Sequence, residues 1–395
     1  MTRVYGTTAM PAGMEGRREN PDSETPLALD VALYERGDFD AANWPSLACR
    51  PDLEMNVFQA REFLEPWIQT VGETRRARPY LVVVRDRSRR PVLYLPLVLE
   101  PHLNASLLRF PDAGLSDLNA PIVAGNRSVT ATEFVAIWSE ILGKLPPIDV
   151  IDFQKMPPTI NGRRNPLTYL PCTADATCGF EIDLGSLYGE VHLRPSIARV
   201  RKKLQRQFRR LAEQGPAEFI VNPSGRRLEA IVDALFALKR EQFLRTYRRD
   251  LLAVPGVEQF YRRVVLPGLL GRTTHLSALL CGGTVVSAHL GFISRKRFHY
   301  VMPAYDTRFR SLAPGHMLLD HLITRCTEDE FATFDLGEGN FAYKHKWATQ
   351  RIALSRHEFA VTMRGRIYLE ARRWHRRLVA HAAQKRGHPE RSVKP

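Results

Sequence analysis

The chain has 395 residues, of which 44% are hydrophobic and 25% charged, and its 57 Lys and Arg against 42 Asp and Glu give a net charge of +15. These proportions exclude a disordered chain, a disulfide miniprotein and a collagen-like repeat, and the length suggests two domains or one large one. An enzyme and a basic nucleic-acid binder both stay open, so the placement of the excess charge matters.

Residues 1–26 are polar and rich in Gly, Pro and Thr, which reads as a flexible leader. They lack the apolar core of a secretory signal, and no window supplies the ~18 apolar residues of a membrane helix. The expectation is a cytoplasmic protein, with peripheral contact to the inner membrane allowed. Segment 56–70 carries Val57, Phe58, Phe63, Leu64 and Trp67 in a short amphipathic helix pattern. Two β-rich runs, 80–85 and 91–99, flank the charged turn Asp86–Arg90 and predict a hairpin. The loop FPDAGLSDLNAPIV (110–123), a helix near 131–143 and a strand at 148–153 follow.

The second half repeats this grammar. Ile197, Val200, Leu204, Phe208 and Leu211 recur at helical spacing, AEFIV (217–221) reads as a strand, and 226–245 as a second amphipathic helix. LSALLCGGTVVSAHLGFIS predicts a hairpin turning at Cys281–Thr284, where two glycines accept positive φ. A strand at 297–306, the helix GHMLLDHLITRC, the strand FATFDLG and a final strand pair near 351–363 complete the pattern. Residues 364–395 read as a basic helical tail.

The five cysteines (Cys49, Cys172, Cys178, Cys281, Cys326) are scattered and form no CxxC pair. His316 and His321, five apart, are poorly placed to share a metal, and no metal site is expected. Phosphate-loop, GxSxG and HExxH signatures are missing from the sequence.

Four stretches could carry chemistry. Arg310, Ser311, Ala313 and Gly315 lie between a strand and an apolar helix, where small residues and free N–H groups favour an anion. An ordinary Pro-Gly helix start explains the same residues. In FDLGEGNFAYKHKW (334–347), Asp335 ends an apolar strand, Gly337 and Gly339 permit a sharp turn, and Tyr343, Lys344, Lys346 and Trp347 follow in one short loop. An Asp there can orient a base or accept a hydroxyl hydrogen bond, a Tyr can donate a proton to a leaving group, and a Lys can bind phosphate or a carboxylate. A loop pinned by an Asp–Lys pair and a buried Trp is the competing reading. His289, alternating with the apolar residues of its strand, could be a base or a structural histidine. Between Arg194 and Arg210 there are eight cations and no acid, suited to phosphates or to a solvated helix face.

In their order and residues, KKLQRQFRRLAEQG, the Gly-Gly hairpin, YDTRFRSLAPGHMLLDHLI and FDLGEGNFAYKHKW resemble the bacterial CelD/BioF2-like acetyltransferases of the GNAT superfamily. The resemblance covers about 190–365 strongly and, through NVFQAREFLEPW and GLSDLNAP, the first half more weakly. That family is similar to Fem-type aminoacyl transferases. The resemblance implies an α/β (α+β) fold of tandem GNAT-like domains, each a mixed, largely antiparallel sheet flanked by helices, plus a basic C-terminal helix. The expected divisions are the leader 1–26, an N-terminal GNAT-like domain 27–185, a C-terminal acetyltransferase domain 186–365 and the tail 366–395.

It further implies acyl transfer, with acetyl-CoA or another acyl-CoA as donor, no metal, and a sugar, amine or envelope-polymer acceptor. Polysaccharide-synthesis machinery is the implied partner. Arg310, Ala313 and Gly315 match the family's pyrophosphate loop, with Ser311 and His316 beside them; Ala313 replaces its usual first glycine, and Pro314 departs from the pattern. Asp335, Tyr343 and His289 are then the catalytic candidates, and Glu338, Lys344, Lys346 and Trp347 the substrate contacts. Two alternatives are a Fem-like transferase using aminoacyl-tRNA, with the basic helix and tail as tRNA contacts, and a non-catalytic basic adaptor with degenerate GNAT domains.

Overall fold

The computed structural model describes residues 29–47, 52–125, 127–185, 195–266 and 268–385. The proposed leader, Arg194 and residues 386–395 of the tail lie outside the described residues.

Apolar runs and helical stripes in the first half yield β1 (Asp30–Glu35), β2 (Leu53–Glu54), α1 (Arg61–Trp67), β3 (Arg78–Arg85), β4 (Pro91–His102), β5 (Ala105–Arg109), β6 (Ile122–Ala124), α2 (Ala131–Lys144) and β7 (Val150–Met156). The ribbon β8 (Thr159–Ile160) with β9 (Arg163–Arg164) and the long β10 (Ala174–Asp183) lead into the second half. There follow α3 (Pro195–Ala212), β11 (Ala217–Val221), α4 (Gly225–Arg245), α5 (Val257–Val264), β12 (Thr274–Cys281), β13 (Thr284–Ser294), β14 (Arg297–Tyr305), α6 (Pro314–Glu328), β15 (Thr333–Glu338), α7 (Ala342–Trp347), β16 (Gln350–Ala360) and α8 (Met363–Lys385).

The predicted hairpins form: β3 pairs with β4, and β12 with β13 through Gly282 and Gly283, both at positive φ. Helix α2 starts at a capping box, Thr130 accepting from the Glu133 N–H while Glu133 reaches back. Three expectations need correction. The helix pattern at 56–70 is broken, α1 passing into a π turn at Ile68–Gly72 just after Pro66, which has no N–H for a ladder hydrogen bond. The residues after Gly339 form α7, not a loop, so a short helix does follow the glycines. Near 351–363 there is one strand, β16, rather than a pair.

Among the described residues, fourteen strands share one mixed, mainly antiparallel sheet, whose main path runs β1-β3-β4-β5-β7-β16-β10-β15-β14-β13-β12-β11. Read inward from either edge, the two halves are the same. Four antiparallel strands are followed by one parallel neighbour (β5 with β7, β14 with β15) and then by an antiparallel strand. A helix makes each parallel crossover, α2 in the first half and α6 in the second. At the centre the chain exchanges strands: β10 pairs with β15 of the second half, and β16 returns to pair with β7 of the first.

The largest apolar cluster spans both halves. It joins Leu81 and Val83 of β3 to Leu290, Phe292 and Met302 of β13 and β14 through α1, α4 and α5. At its middle the Phe63 ring meets Phe58, Phe260 and Phe292 edge-on, at 5.3, 5.0 and 5.3 Å between centroids. Such contacts add about 0.5–1.5 kcal/mol each beyond area burial.

Helix α8 docks where Gly365 meets the Asp149 backbone. A Cβ at Gly365 would lie 1.9 Å from the Asp149 carbonyl oxygen. The Asp149 carboxylate accepts from Thr362 Oγ1 at 2.6 Å and Arg364 Nε at 3.1 Å. Gly365→Ala must therefore push α8 outward, and we expect a loss of about 1–3 kcal/mol, the usual cost of overpacking. A urea midpoint equal to that of the parent would contradict this docking.

Candidate active site between the halves

Strands β14 and β15 stay in parallel register only from Arg297 to His299 and Thr333 to Asp335. At that point β14 takes an extra residue relative to β13, two steps from Leu290 to Phe292 facing three from His299 to Met302. Such a bulge bends its strand, and here the two strands part towards their C-terminal ends. The opening that results is bordered by β14, the N-terminus of α6 and the β15–α7 turn.

That turn is built by Asp335, Gly337 and Lys344. Asp335 Oδ1 accepts from the Gly337 N–H at 2.8 Å, and its Oδ2 lies 3.4 Å from His299 Nδ1 and 3.5 Å from Arg297. Burial opposes ionisation of Asp335, but His299, Arg297 and the Gly337 N–H outweigh it and hold its carboxyl at about 2. Lys344 is buried and donates to the carbonyls of Gly337 at 3.0 Å and Glu338 at 2.6 Å.

Gly337, at φ +76°, has no room for a side chain, because the Asp117 carboxylate lies where a Cβ would stand, 2.5 Å from that position. Asp117 belongs to the first half, to the loop between β5 and β6, and it accepts the Glu338 backbone N–H. Its loop is stiff. Asp112 accepts from the N–H groups of Gly114 and Ser116, Asn119 bridges Asp112 and the Gln154 carbonyl, and Trp67 Nε1 donates to the Asp112 carbonyl. Lys155 ties loop to turn, 3.0 Å from Asp112 and 3.5 Å from Glu338. Burial and the nearby Asp335 charge raise the Asp117 carboxyl to about 7, against the pull of Lys344 and Lys155. Two neighbouring carboxylates thus titrate far apart. The one at about 2 is a poor proton acceptor at neutral pH; the one at about 7 is poised to take and return a proton.

The other expected residues divide. Tyr343 lies beside the opening, 6.2 Å from the His316 ring, and burial keeps its phenol protonated well above the usual range. Gly315 abuts Tyr305, which leaves 3.3 Å for a Cβ, and Ala313 takes the left-handed conformation at φ 56° that sets the start of α6. Arg310, Ser311 and Lys346 are exposed, and the Ser311 carbonyl accepts from Gln207 of α3. His289 is elsewhere. It stacks on Tyr300 at 4.3 Å and packs near Phe298, on the sheet face opposite His299 and Asp335. Burial keeps it neutral, and neither ring nitrogen has a hydrogen-bond partner among the described residues. Trp347, expected to touch substrate, is core, with Phe180 and Phe334 in its cluster. Lys344 is a strut for the turn rather than a free cation.

Sequence reasoning missed Asp117, Lys239 and the segment after α4. Lys239 donates to the Pro303 carbonyl at 3.0 Å, and burial with the Arg248 charge lowers its ammonium to about 8. Arg245 lies over the Tyr305 ring at 5.8 Å and Arg248 over Phe341 at 4.9 Å, so exposed guanidinium groups rim the opening. Asp117 in a turn-forming loop with Gly114, Ser116 and Asn119 was the available signal.

On the first-half side a polar cavity of about 410 Å³ adjoins the same loop, with Glu100, Arg109, Asp112, Asn119, Asp152 and Gln154 in its wall. It lies where β5 and β7 part, after only two register pairs, Leu107 with Val150 and Leu108 with Ile151.

Residues 198–345 match the family described as an acetyltransferase (GNAT) domain. FemX, as a crystal structure, superposes with a TM-score of 0.58 at 12% identity, covering 86% of this chain and 99% of that one. Less similar are the C-terminal domain of a putative lysylphosphatidylglycerol synthetase from Agrobacterium fabrum (TM-score 0.49, 11% identity, 84% and 95% coverage) and a tandem GNAT protein from the clavulanic acid biosynthesis pathway (0.44, 12%, 85% and 99%). No curated protein matches by sequence. The likeness to FemX is one of fold; with the domain match it supports an acyltransferase of GNAT type.

The raised carboxyl of Asp117 has a stability signature. The native state holds this proton more tightly than the unfolded chain, whose Asp titrates near 3.8. Asp117 therefore destabilises the fold increasingly as pH rises from about 4 to about 7, and not below that window. Asp117→Asn should flatten this slope in urea melts taken across the range; an unchanged slope would show that the carboxylate is not buried as described.

Proposed function

We propose that the chain transfers an acyl group from acyl-CoA to a hydroxyl or amine of a polar, sugar-like acceptor, with Asp117 as general base. The observation that carries this reading is the Asp117 carboxylate seated on Gly337 at the mouth of the β14–β15 opening, with its proton held at about 7.

The donor's chemistry fits the opening. Beyond His299 the edge of β14 has no pairing with β15 among the described residues, so backbone groups there can meet an amide-bearing arm, Pro303 excepted, which lacks an N–H and whose carbonyl accepts from Lys239. The guanidinium groups of Arg245, Arg248 and Arg310 and the α6 N-terminus suit phosphates. Bound acyl-CoA would supply an activated thioester carbonyl there. Asp117 takes the acceptor's proton as the new O–C or N–C bond forms. Tyr343, protonated, gives a hydrogen bond to the departing sulfur. Asp335 does not touch the reaction; it fixes the turn that presents Gly337 to Asp117, and Lys344 holds that turn from behind. The polar cavity on the first-half side, sharing its loop with Asp117, would hold a hydroxyl-rich acceptor, in keeping with a sugar or cell-envelope precursor.

One observation favours a second reading, an aminoacyl-tRNA donor. On α3, Arg199, Lys202, Lys203, Arg206, Arg209 and Arg210 are exposed, whereas Arg201 is paired with Asp320 at 2.8 Å. Calorimetry separates the two. We expect CoA and acetyl-CoA to bind, and Arg248→Ala to weaken them; no CoA binding together with tRNA binding of steep salt dependence would overturn the CoA reading.

Asp117→Asn should lower kcat by about 10²- to 10⁴-fold, the usual contribution of general-base catalysis, and erase a rise in rate through pH 7. A folded Asp117→Asn protein with the parent rate and pH profile would remove Asp117 from the chemistry.

A further inference from the structure

Helix α8 has two apolar faces, and the fold uses only one. Gly365, Tyr368 and Leu369 are buried against the sheet, with Tyr368 hydrogen-bonded to His102 at 3.0 Å. Arg372 reaches inward to Asp152 at 3.1 Å and Glu358 at 2.7 Å. The second face points away from the protein. Met363, Ile367, Trp374 and Leu378, at successive helical spacings and with exposed Ala371 among them, are 67%, 67%, 61% and 64% exposed. Arg366, Arg373 and Arg377 run along one side of this stripe, and His375 and Arg364, the latter bound to Asp149, along the other. The one acid between Met363 and Leu378, Glu370, is paired with Arg373 at 2.6 Å.

We propose that α8 is an interfacial helix that docks the protein on an anionic lipid surface. A stripe of large apolar side chains exposed to water is costly, and its burial is favourable at ~25 cal/mol per Å². The rows of arginine beside it match the phosphates of an acidic bilayer, and Trp374 has the ring type that settles at the headgroup level. Nucleic acid would satisfy the arginines but leave Trp374 and Leu378 in water. A second copy packed stripe to stripe would set arginine rows of like charge side by side. No helix among the described residues is long and apolar enough to cross a membrane, so the contact is one of lying on the surface. The inner face of α8, fixed by Gly365 and Arg372, sets how the rest of the molecule stands relative to that surface.

The test is co-sedimentation of the full chain with vesicles of phosphatidylcholine alone or with about one-third phosphatidylglycerol. We expect binding to the mixed vesicles only, weakened by added salt. Arg366→Gln and Arg377→Gln should each lower the partition coefficient about fivefold, and Glu370→Gln should raise it. Trp374→Ala with Leu378→Ala should abolish binding, while circular dichroism and the melting temperature stay those of the parent. Equal binding to both kinds of vesicle would overturn the proposal. So would undiminished binding by the Trp374/Leu378 variant, or a parent chain that stays off vesicles while self-associating through this helix.

Discussion

Strands β14 and β15 share three register pairs and then part. Everything that reads as a site depends on that limit. Full pairing would close the edge of β14, bring the start of α6 against β15 and leave no opening for Asp117 to face. Two local devices enforce it: the bulge at Tyr300–Val301, and the positive-φ turn at Gly337, which Asp335 and Lys344 hold from opposite sides. Neither carries a large energy alone. Together they convert an ordinary sheet interior into a place where a carboxylate from elsewhere in the chain is half desolvated.

The two halves are built alike and used differently. In each, a parallel pair opens after a few residues and a helix follows the preceding strand. In the second half the segment before that helix is the short turn Thr307–Leu312, compact enough to leave the α6 N-terminus at the opening. In the first half the corresponding segment is the longer loop that carries Asp117 across to the other half. Its own opening holds buried charge instead: Asp152 contacts Arg109, Arg356 and Arg372, and Glu100 contacts Arg75 and Arg109. Breaking one partner of such a buried cluster costs more than forming it gains, so the cluster fixes geometry more than it adds stability.

What could be read in the sequence was what is local. The β3–β4 hairpin, the Gly282-Gly283 turn and the stripes of α2, α3, α4 and α6 follow from periodicity and turn chemistry, and the structure has them. The loop at 310–315 and the FDLGEGN turn were legible as places, because glycines and polar residues at strand ends stand out. Their roles were less so. His289 alternates as a half-buried strand residue should, and nothing local says which sheet face holds the opening. Lys344 and Trp347 look like binding residues until α7 forms and turns both inward. Asp117 acquires its environment from Gly337, 220 positions away, and no window of sequence contains both. In the basic C-terminal helix, Arg372 reaches Asp152 of β7 and Glu358 of β16, so part of that charge braces the fold, and no window of sequence contains Arg372 with Asp152.

The exchange of β10 and β16 at the centre of the sheet has a consequence for inheritance. A gene fragment confined to 198–345 would encode neither strand, and β15 would be left with a bare edge of unpaired amides beside an unsheathed apolar face. Each half lends the other its closing strand, in the manner of two clasped hands. Recombination that shuffled one half without its partner's closing strand would leave β7 and β15 each with an unpaired edge.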